Sequence, residues 1–207
     1  MRLYGRSSSH FTRIVRIFAA EMEVPLEFVP IRDLMSQEPA DYGDNPALKM
    51  PTLDSPDGTW FGSLGICREL ARHHELNLDV VWPDQLESAL ASNAQELVLQ
   101  AMSTEVAIVM GKSSGVPADN AHQAKLLASL LGTLQWLETN AGAAIATLPR
   151  ERDLSYLEVS LYCLVEHLPF REVLSMEAYP ALRAFGERFG ARSSAKKTAF
   201  KFDFPPA

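Results

Sequence analysis

The chain has 207 residues, a length that fits one large domain or two small ones. Apolar residues make up 47% and charged residues 22%, far from the composition of a disordered chain, so a packed core is within reach. The formal charge of −7 argues against non-specific binding to nucleic acid or to an anionic membrane surface, both of which need clustered Lys and Arg.

Cys67 and Cys163 stand about a hundred residues apart, with no C-x-x-C and no Cys/His spacing, so the pattern suggests neither a disulfide framework nor a metal site. Both read as buried structural thiols in a reducing compartment. Met1 to Gly5 run straight into a strand pattern without a charged leader, and no apolar run approaches a membrane span. The expectation is a soluble, cytoplasmic protein.

In chain order, Arg2-Leu3-Tyr4 reads as a strand. Phe11, Ile14, Val15, Phe18 and Met22 then form one helical stripe, which Pro25 closes. Leu26 to Val29 is a second strand, parallel to the first through the helical crossover. Residues 32–48 lack sustained periodicity and read as a loop with one irregular turn. Pro51 to Asp54 and Thr59 to Phe61 flank Ser55-Pro56-Asp57-Gly58, a hairpin signal. Ser63 is expected to cap a helix reaching about His74.

From Asp84 onward the pattern is helical throughout. Leu86, Leu90, Leu97 and Ala101 mark one helix, and Leu126, Leu127, Leu130, Leu131, Leu134 and Leu137 a second. Leu157 to Leu168 mark a third, opened by the capping box Ser155 and Glu158 and stopped by Pro169. A last helix enters at Pro180 and leaves through Gly190. The basic run Arg192 to Lys201 reads as a solvated tail. The predicted organisation is therefore an α/β domain over residues 1–76, a linker over 77–83 and an all-helical domain over 84–207.

Three groups of residues invite a chemical reading. Arg6-Ser7-Ser8-Ser9-His10 lies between the first strand and first helix, where helix N–H groups favour an anion. A hydroxyl there could stabilise a thiolate, or Ser9 could simply cap the helix. Pro51 reads as a strand-entry proline; in the cis form it would turn the backbone groups of Met50 toward a ligand. His73 and His74 are neighbours that point to different sides of a helix, a poor chelating pair, and read as a helix end at the surface. No phosphate loop, nucleophile elbow or zinc-protease motif occurs.

Taken in order, these landmarks resemble the cytosolic glutathione transferases across almost the whole chain. Leu3-Tyr4 through Ser9 to Arg16 resembles the strand, catalytic serine and helix start of the serine-type classes. Asn45 to Leu53 resembles the segment around the family's cis-proline. Asp57-Gly58 and Ser63-Leu64-Gly65-Ile66 resemble the hairpin and helix that hold the γ-glutamyl end of glutathione. Ser155 to Glu158 and Tyr179 to Leu182, with the residues that follow, resemble the family's capping box and closing helix.

The resemblance implies a thioredoxin-like N-terminal domain (βαβ, then ββα) followed by a helical bundle, with glutathione as cosubstrate and no metal. It implies Ser9 as the catalytic hydroxyl, Met50 beside Pro51 as the backbone partner of the cysteinyl moiety, Ser63 on the γ-glutamyl carboxylate and Lys49 toward the glycyl carboxylate. A homodimer and a small hydrophobic substrate lying against the helical domain follow from the same resemblance. Gly62 stands where the family usually carries an acidic residue for the glutathione α-ammonium, and His10 where many relatives have proline. Three functions are thereby in view: conjugation by a glutathione thiolate, non-catalytic binding of a hydrophobic ligand or protein partner, and glutathione-dependent isomerisation.

Overall fold

The computed structural model describes residues 1–117 and 119–204. The chain divides into two compact units: residues 1–77 together with the tail from Ala191 onward, and residues 78–190. The tail thus groups with the first unit rather than with the helical half in which the pattern places it.

The first unit opens with β1 (Arg2–Gly5), α1 (His10–Glu21) and β2 (Glu27–Pro30), and continues after a loop with β3 (Thr52–Ser55), β4 (Gly58–Phe61) and α2 (Ser63–His73). The four strands form one sheet in the order β2-β1-β3-β4. The α1 crossover makes β1 and β2 parallel, whereas β3 runs antiparallel to β1 and to β4. Ile14, Val15, Ile17 and Phe18 of α1 and Ile66, Cys67 and Leu70 of α2 are fully buried, as are Leu3 and Leu53 of the central strands. Burying an aliphatic or aromatic side chain of this size is worth about 1.5–3 kcal/mol relative to leaving it in water. This stripe is therefore what fastens the helices to the sheet.

Two local details differ from the pattern reading. Helix α1 ends at Glu21, ahead of Pro25: Glu23 adopts φ 55° and the Val24 N–H closes on the Ala19 carbonyl at 2.9 Å. Between β3 and β4, Ser55 pairs with Gly58 across Pro56-Asp57, and Gly58 carries the positive φ of 121° that the tight reversal requires.

The second unit begins with β5 (Val80–Val81), paired in parallel with β6 (Leu154–Ser155). The expected linker is thus partly strand, and the helical unit carries one short bridge. Its helices are α3 (Ala89–Ser113), α4 (Ala121–Ala146), α5 (Tyr156–Phe170) and α6 (Pro180–Gly190). In α3 the buried stripe is Ala91, Ala94, Val98, Ala101 and Met102, not the half-buried Leu86, Leu90 and Leu97. Small side chains on this stripe let α3 pack closely against its neighbour α4. In α4, Leu130, Leu134 and Leu137 are buried while Leu127 and Leu131 stay exposed, so the leucine run is wider than the face it buries. Ser155 caps α5 as its motif predicts, accepting from the Glu158 N–H at 3.1 Å. Pro169 does not stop α5 but lies inside its last turn, and the helix runs on to Phe170.

The chain then returns to the first unit with α7 (Ser193–Lys197). The basic run is not a solvated tail. Arg192 grips the Glu21 carboxylate with Nε at 2.8 Å and Nη2 at 3.0 Å, and Ala195 and Thr198 are buried. Cys67 and Cys163 are both buried and form no disulfide, as their isolation in the sequence implies. No described helix is long and apolar enough to cross a membrane.

Candidate functional site

Sheet topology gathers most of the candidate residues at one end of the first unit. Tyr4, near the end of β1, pairs with Thr52 at the start of β3, and Thr52 pairs with Phe61 at the end of β4. The loop after β1 carrying Ser9, the segment Lys49-Met50-Pro51 entering β3, and Gly62-Ser63 leaving β4 therefore share the same edge. Two helix N-termini, those of α1 and α2, begin there, and the positive end of each helix dipole favours an anion.

Ser9 is the N-cap of α1. It is half-buried, extended at φ −98° and ψ 126°, and its Oγ accepts from the Thr12 N–H at 3.3 Å. A hydroxyl that accepts with a lone pair keeps its own proton to donate, so capping and stabilising an anion are compatible roles. The preceding turn is held from both sides. The Arg6 guanidinium donates to the carbonyls of Ile31 and Arg32, and the Ser9 N–H closes on the Arg6 carbonyl at 3.0 Å.

The tail reaches this same turn. Asp203 accepts from the Ser7 N–H at 2.7 Å, and the ring of Phe204 lies 5.0 Å below the Arg6 guanidinium. Arg13 is 2% exposed, donates to the Ala195 carbonyl at 3.2 Å and stacks 4.2 Å over Phe200. Burial pushes the Arg16 guanidinium below its ordinary value, the charge of Arg13 pushes the same way, and Asp203 opposes both. Arg6, Arg13 and Arg16 thus put three cations on the first two turns of α1 and the loop before it. The Ser7 hydroxyl is buried with no hydrogen-bond partner among the described residues.

Asn45 organises the second segment. It is 5% exposed, its Oδ1 accepts from the Ala47 N–H at 2.9 Å and its Nδ2 donates to the Lys49 carbonyl at 2.8 Å. Leu48 sits at φ 53° within this wrap. The result presents an exposed Lys49 and a half-buried Met50 directly before Pro51, whose peptide bond with Met50 is cis.

At the third segment the structure corrects the expected cap. Gly62, not Ser63, is the N-cap of α2, and Ser63 is its first helical residue, 6% exposed. Gly62 lies at φ 77° and ψ 144°, a conformation that L side chains rarely adopt, with open space where a Cβ would stand. Its N–H is tied to the Pro51 carbonyl at 3.3 Å, and its own carbonyl accepts from Ile66 at 3.1 Å.

Residues 3–78 match the family model of the glutathione S-transferase N-terminal domain. The fold is that of the glutathione transferases. A glutathione S-transferase from Methylobacillus flagellatus KT, solved with glutathione bound, superposes with a TM-score of 0.74 at 22% identity, covering 97% of this chain and 99% of that one. A glutathione transferase family member from Pseudomonas fluorescens Pf-5 with bound glutathione gives 0.77 at 19%, covering 97% and 98%. A glutathione S-transferase from Methylobacterium radiotolerans in complex with glutathione sulfonate gives 0.70 at 22%, covering 100% and 99%. A search of curated proteins matches none.

Sequence reasoning names Ser9, Lys49, Met50, Pro51, Gly62 and Ser63, and the glutathione transferase fold brings the segments that carry them to one edge. It misses the anchoring role of Asn45, which an Asn directly before a proline-containing turn signals. It also misses Asp203, which lies 196 residues from its partner Ser7 and has no local signature.

Proposed function

We propose that this protein binds glutathione along that edge and uses its thiolate against a small hydrophobic electrophile, acting as a cytoplasmic homodimer. The observation that carries the reading is the convergence of two helix N-termini, one opened by Ser9 and one by Ser63, beside the extended entry to β3. A peptide with a carboxylate at each end and a thiol between them needs such a set of donors. In this reading the Ser63 hydroxyl and the first N–H groups of α2 hold the γ-glutamyl carboxylate, and the Met50 backbone pairs with the cysteinyl unit. Lys49 faces the glycyl carboxylate as an exposed cation.

Ser9 donates to the thiolate sulfur. That donation and the positive end of α1 lower the thiol pKa, so more of the nucleophile is present at neutral pH. The thiol proton leaves to solvent, and the sulfur lone pair forms the new bond to carbon as that carbon's bond to its leaving group breaks, the leaving group departing to solvent as an anion with the bonding pair. Bound glutathione in the structural relatives supports the choice of ligand.

One residue favours a second reading. Gly62 offers no carboxylate for the glutathione α-ammonium, and losing a charged hydrogen bond of that kind costs about 1.5–3 kcal/mol, roughly ten- to hundred-fold in affinity. A non-catalytic protein that keeps the fold for a hydrophobic ligand or a protein partner fits that loss. Calorimetric titration with reduced glutathione separates the two. Saturable heat that weakens in Ser63→Ala supports the first reading. No heat and no thermal stabilisation at millimolar glutathione supports the second.

A further inference from the structure

At the far end of α2 from Ser63, the structure assembles three side chains that no part of the reading above uses. His73, in the last turn of α2, places Nε2 3.1 Å from Glu69 Oε1 and 3.1 Å from Asp57 Oδ2. Glu69 is four residues earlier on the same helical face, and Asp57 comes from the β3–β4 hairpin. The neighbouring His74, which made the sequence pair look unpromising, is not part of this group. The ligand atoms of Asp57, Glu69 and His73 all lie within 4.8 Å of one another.

We propose that Asp57, Glu69 and His73 form a binding site for a divalent transition-metal ion of the zinc type. A single proton on Nε2 can serve both carboxylate oxygens only as a bifurcated hydrogen bond, weaker to each, and without that proton three lone pairs face one another. A metal ion at the centre satisfies all three groups together. Zinc bonds to His nitrogen and carboxylate oxygen of about 2.0–2.2 Å place tetrahedral ligands roughly 3.3 Å apart, close to the 3.1 Å that separates His73 Nε2 from each carboxylate oxygen.

The surroundings fit a ligand set more closely than a loose ion pair. The Glu69 side chain is fully buried, and its two oxygens are oriented by the Ser55 hydroxyl at 2.9 Å and by Arg72 Nη1 at 3.3 Å. Such outer contacts fix a ligand's direction. Asp57 and His73 keep 62% and 27% of their side-chain surface exposed, which leaves a way in from solvent and room for a completing water. With one imidazole, two carboxylates and no thiolate, the site suits zinc or cobalt(II) rather than a softer ion.

The test is calorimetric titration of the tag-free, chelator-treated full chain with zinc, with a cobalt(II) visible spectrum in parallel. One equivalent should bind. His73→Ala and Asp57→Asn should each weaken binding by about tenfold or more, while His74→Ala and Ser63→Ala should leave it unchanged. Because Ser63→Ala targets only glutathione, failure here and failure of the glutathione reading are told apart. Histidine ring NMR of the unmutated protein guards against a variant that does not fold: zinc should move the His73 resonances alone. No saturable binding, equal binding by His73→Ala and Asp57→Asn, or a shift confined to another histidine overturns the proposal.

Discussion

Gly62 donates its backbone N–H to the Pro51 carbonyl at 3.3 Å, so the residue that opens α2 is also fastened to the segment entering β3. That bond links the two segments of the candidate glutathione edge directly. Gly62 holds φ 77°, and because open space surrounds the missing Cβ, the cost of a side chain there is local to the backbone. Gly62→Ala should lower stability by about 1–3 kcal/mol without disturbing neighbours, as denaturant midpoints will show. Gly62→Glu should carry the same strain yet tighten glutathione roughly ten- to hundred-fold, by restoring a carboxylate for the α-ammonium. Equal affinity of Gly62→Glu and the unmutated protein would sink that account of the departure.

Ser9 separates stability from chemistry. Its cap bond to Thr12 is long at 3.3 Å, so Ser9→Ala should cost no more than about 1 kcal/mol of stability. If its hydroxyl also donates to the thiolate, the same change should reduce turnover roughly ten- to hundred-fold and raise the apparent pKa of the bound thiol. Stopped-flow ultraviolet detection of the thiolate across pH checks both. Unchanged kcat in the variant removes Ser9 from the chemistry.

The elements that were legible in the sequence are those whose residues interact locally. Ile14, Val15 and Phe18 mark the buried stripe of α1, Asp57-Gly58 the hairpin, and Ser155 with Glu158 the start of α5, because each signal lies within a turn or two of its partner. The candidate edge was legible for the same reason: Ser9, Met50 and Ser63 each stand at the start of an element. What escaped depends on distant partners or on context. The buried face of α3 is built largely on Ala91, Ala94 and Ala101, which carry little hydropathy signal beside Leu86, Leu90 and Leu97. The cap of α2 shifted by one residue because a glycine at positive φ performs the turn that a serine was expected to make. The tail was misplaced because Arg192 reads as solvated until Glu21 is brought beside it.

Asn45 offers a prediction about the loop itself. Asn45→Ala removes the acceptor for Ala47 and the donor to the Lys49 carbonyl, leaving two inward-facing backbone groups without those partners. A loss of about 1–3 kcal/mol should follow, with weaker glutathione binding because Met50 is no longer held. Asn45→Asp keeps the acceptor and loses only the donor, so it should fall between the two. Hydrogen exchange at Ala47 distinguishes them: protection should persist in Asn45→Asp and vanish in Asn45→Ala.

The Arg192 clasp on Glu21 has a defined pH signature. Burial pushes the Glu21 carboxyl up, but hydrogen bonds from Arg192 and Ser194 and the charge of Arg192 outweigh it, so the net value lies below the ordinary 4.5. A depressed carboxylate contributes stability that is present above its unfolded value and lost as pH falls through its folded value. Arg192→Ala should therefore cost about 1 kcal/mol at neutral pH, a figure reduced by the partial exposure of the pair. The difference should disappear well below pH 4.5, and proteolysis of the tail should quicken at neutral pH. A constant difference between the two proteins across that acid range would contradict the assignment.

In the second unit the sign reverses at Glu105. Its Oε1 meets His167 Nδ1 at 2.8 Å, and both side chains are buried. Burial pushes the Glu105 carboxyl above 4.5, against the opposing hydrogen bond and charge of His167 and the charge of Arg171. A carboxyl raised in the folded state binds its proton more tightly there than in the unfolded chain. Stability is then greatest below the unfolded value and declines as pH rises from about 4.5 through the folded value. Glu105→Gln keeps a hydrogen-bonding partner for His167 but cannot ionise, so it removes that decline. The stability of Glu105→Gln relative to the unmutated protein should rise from pH 4.5 upward and then level off, as urea midpoints across the range will report. Parallel curves would mean that Glu105 titrates in the folded chain as it does in the unfolded one, and that the pair with His167 fully offsets its burial.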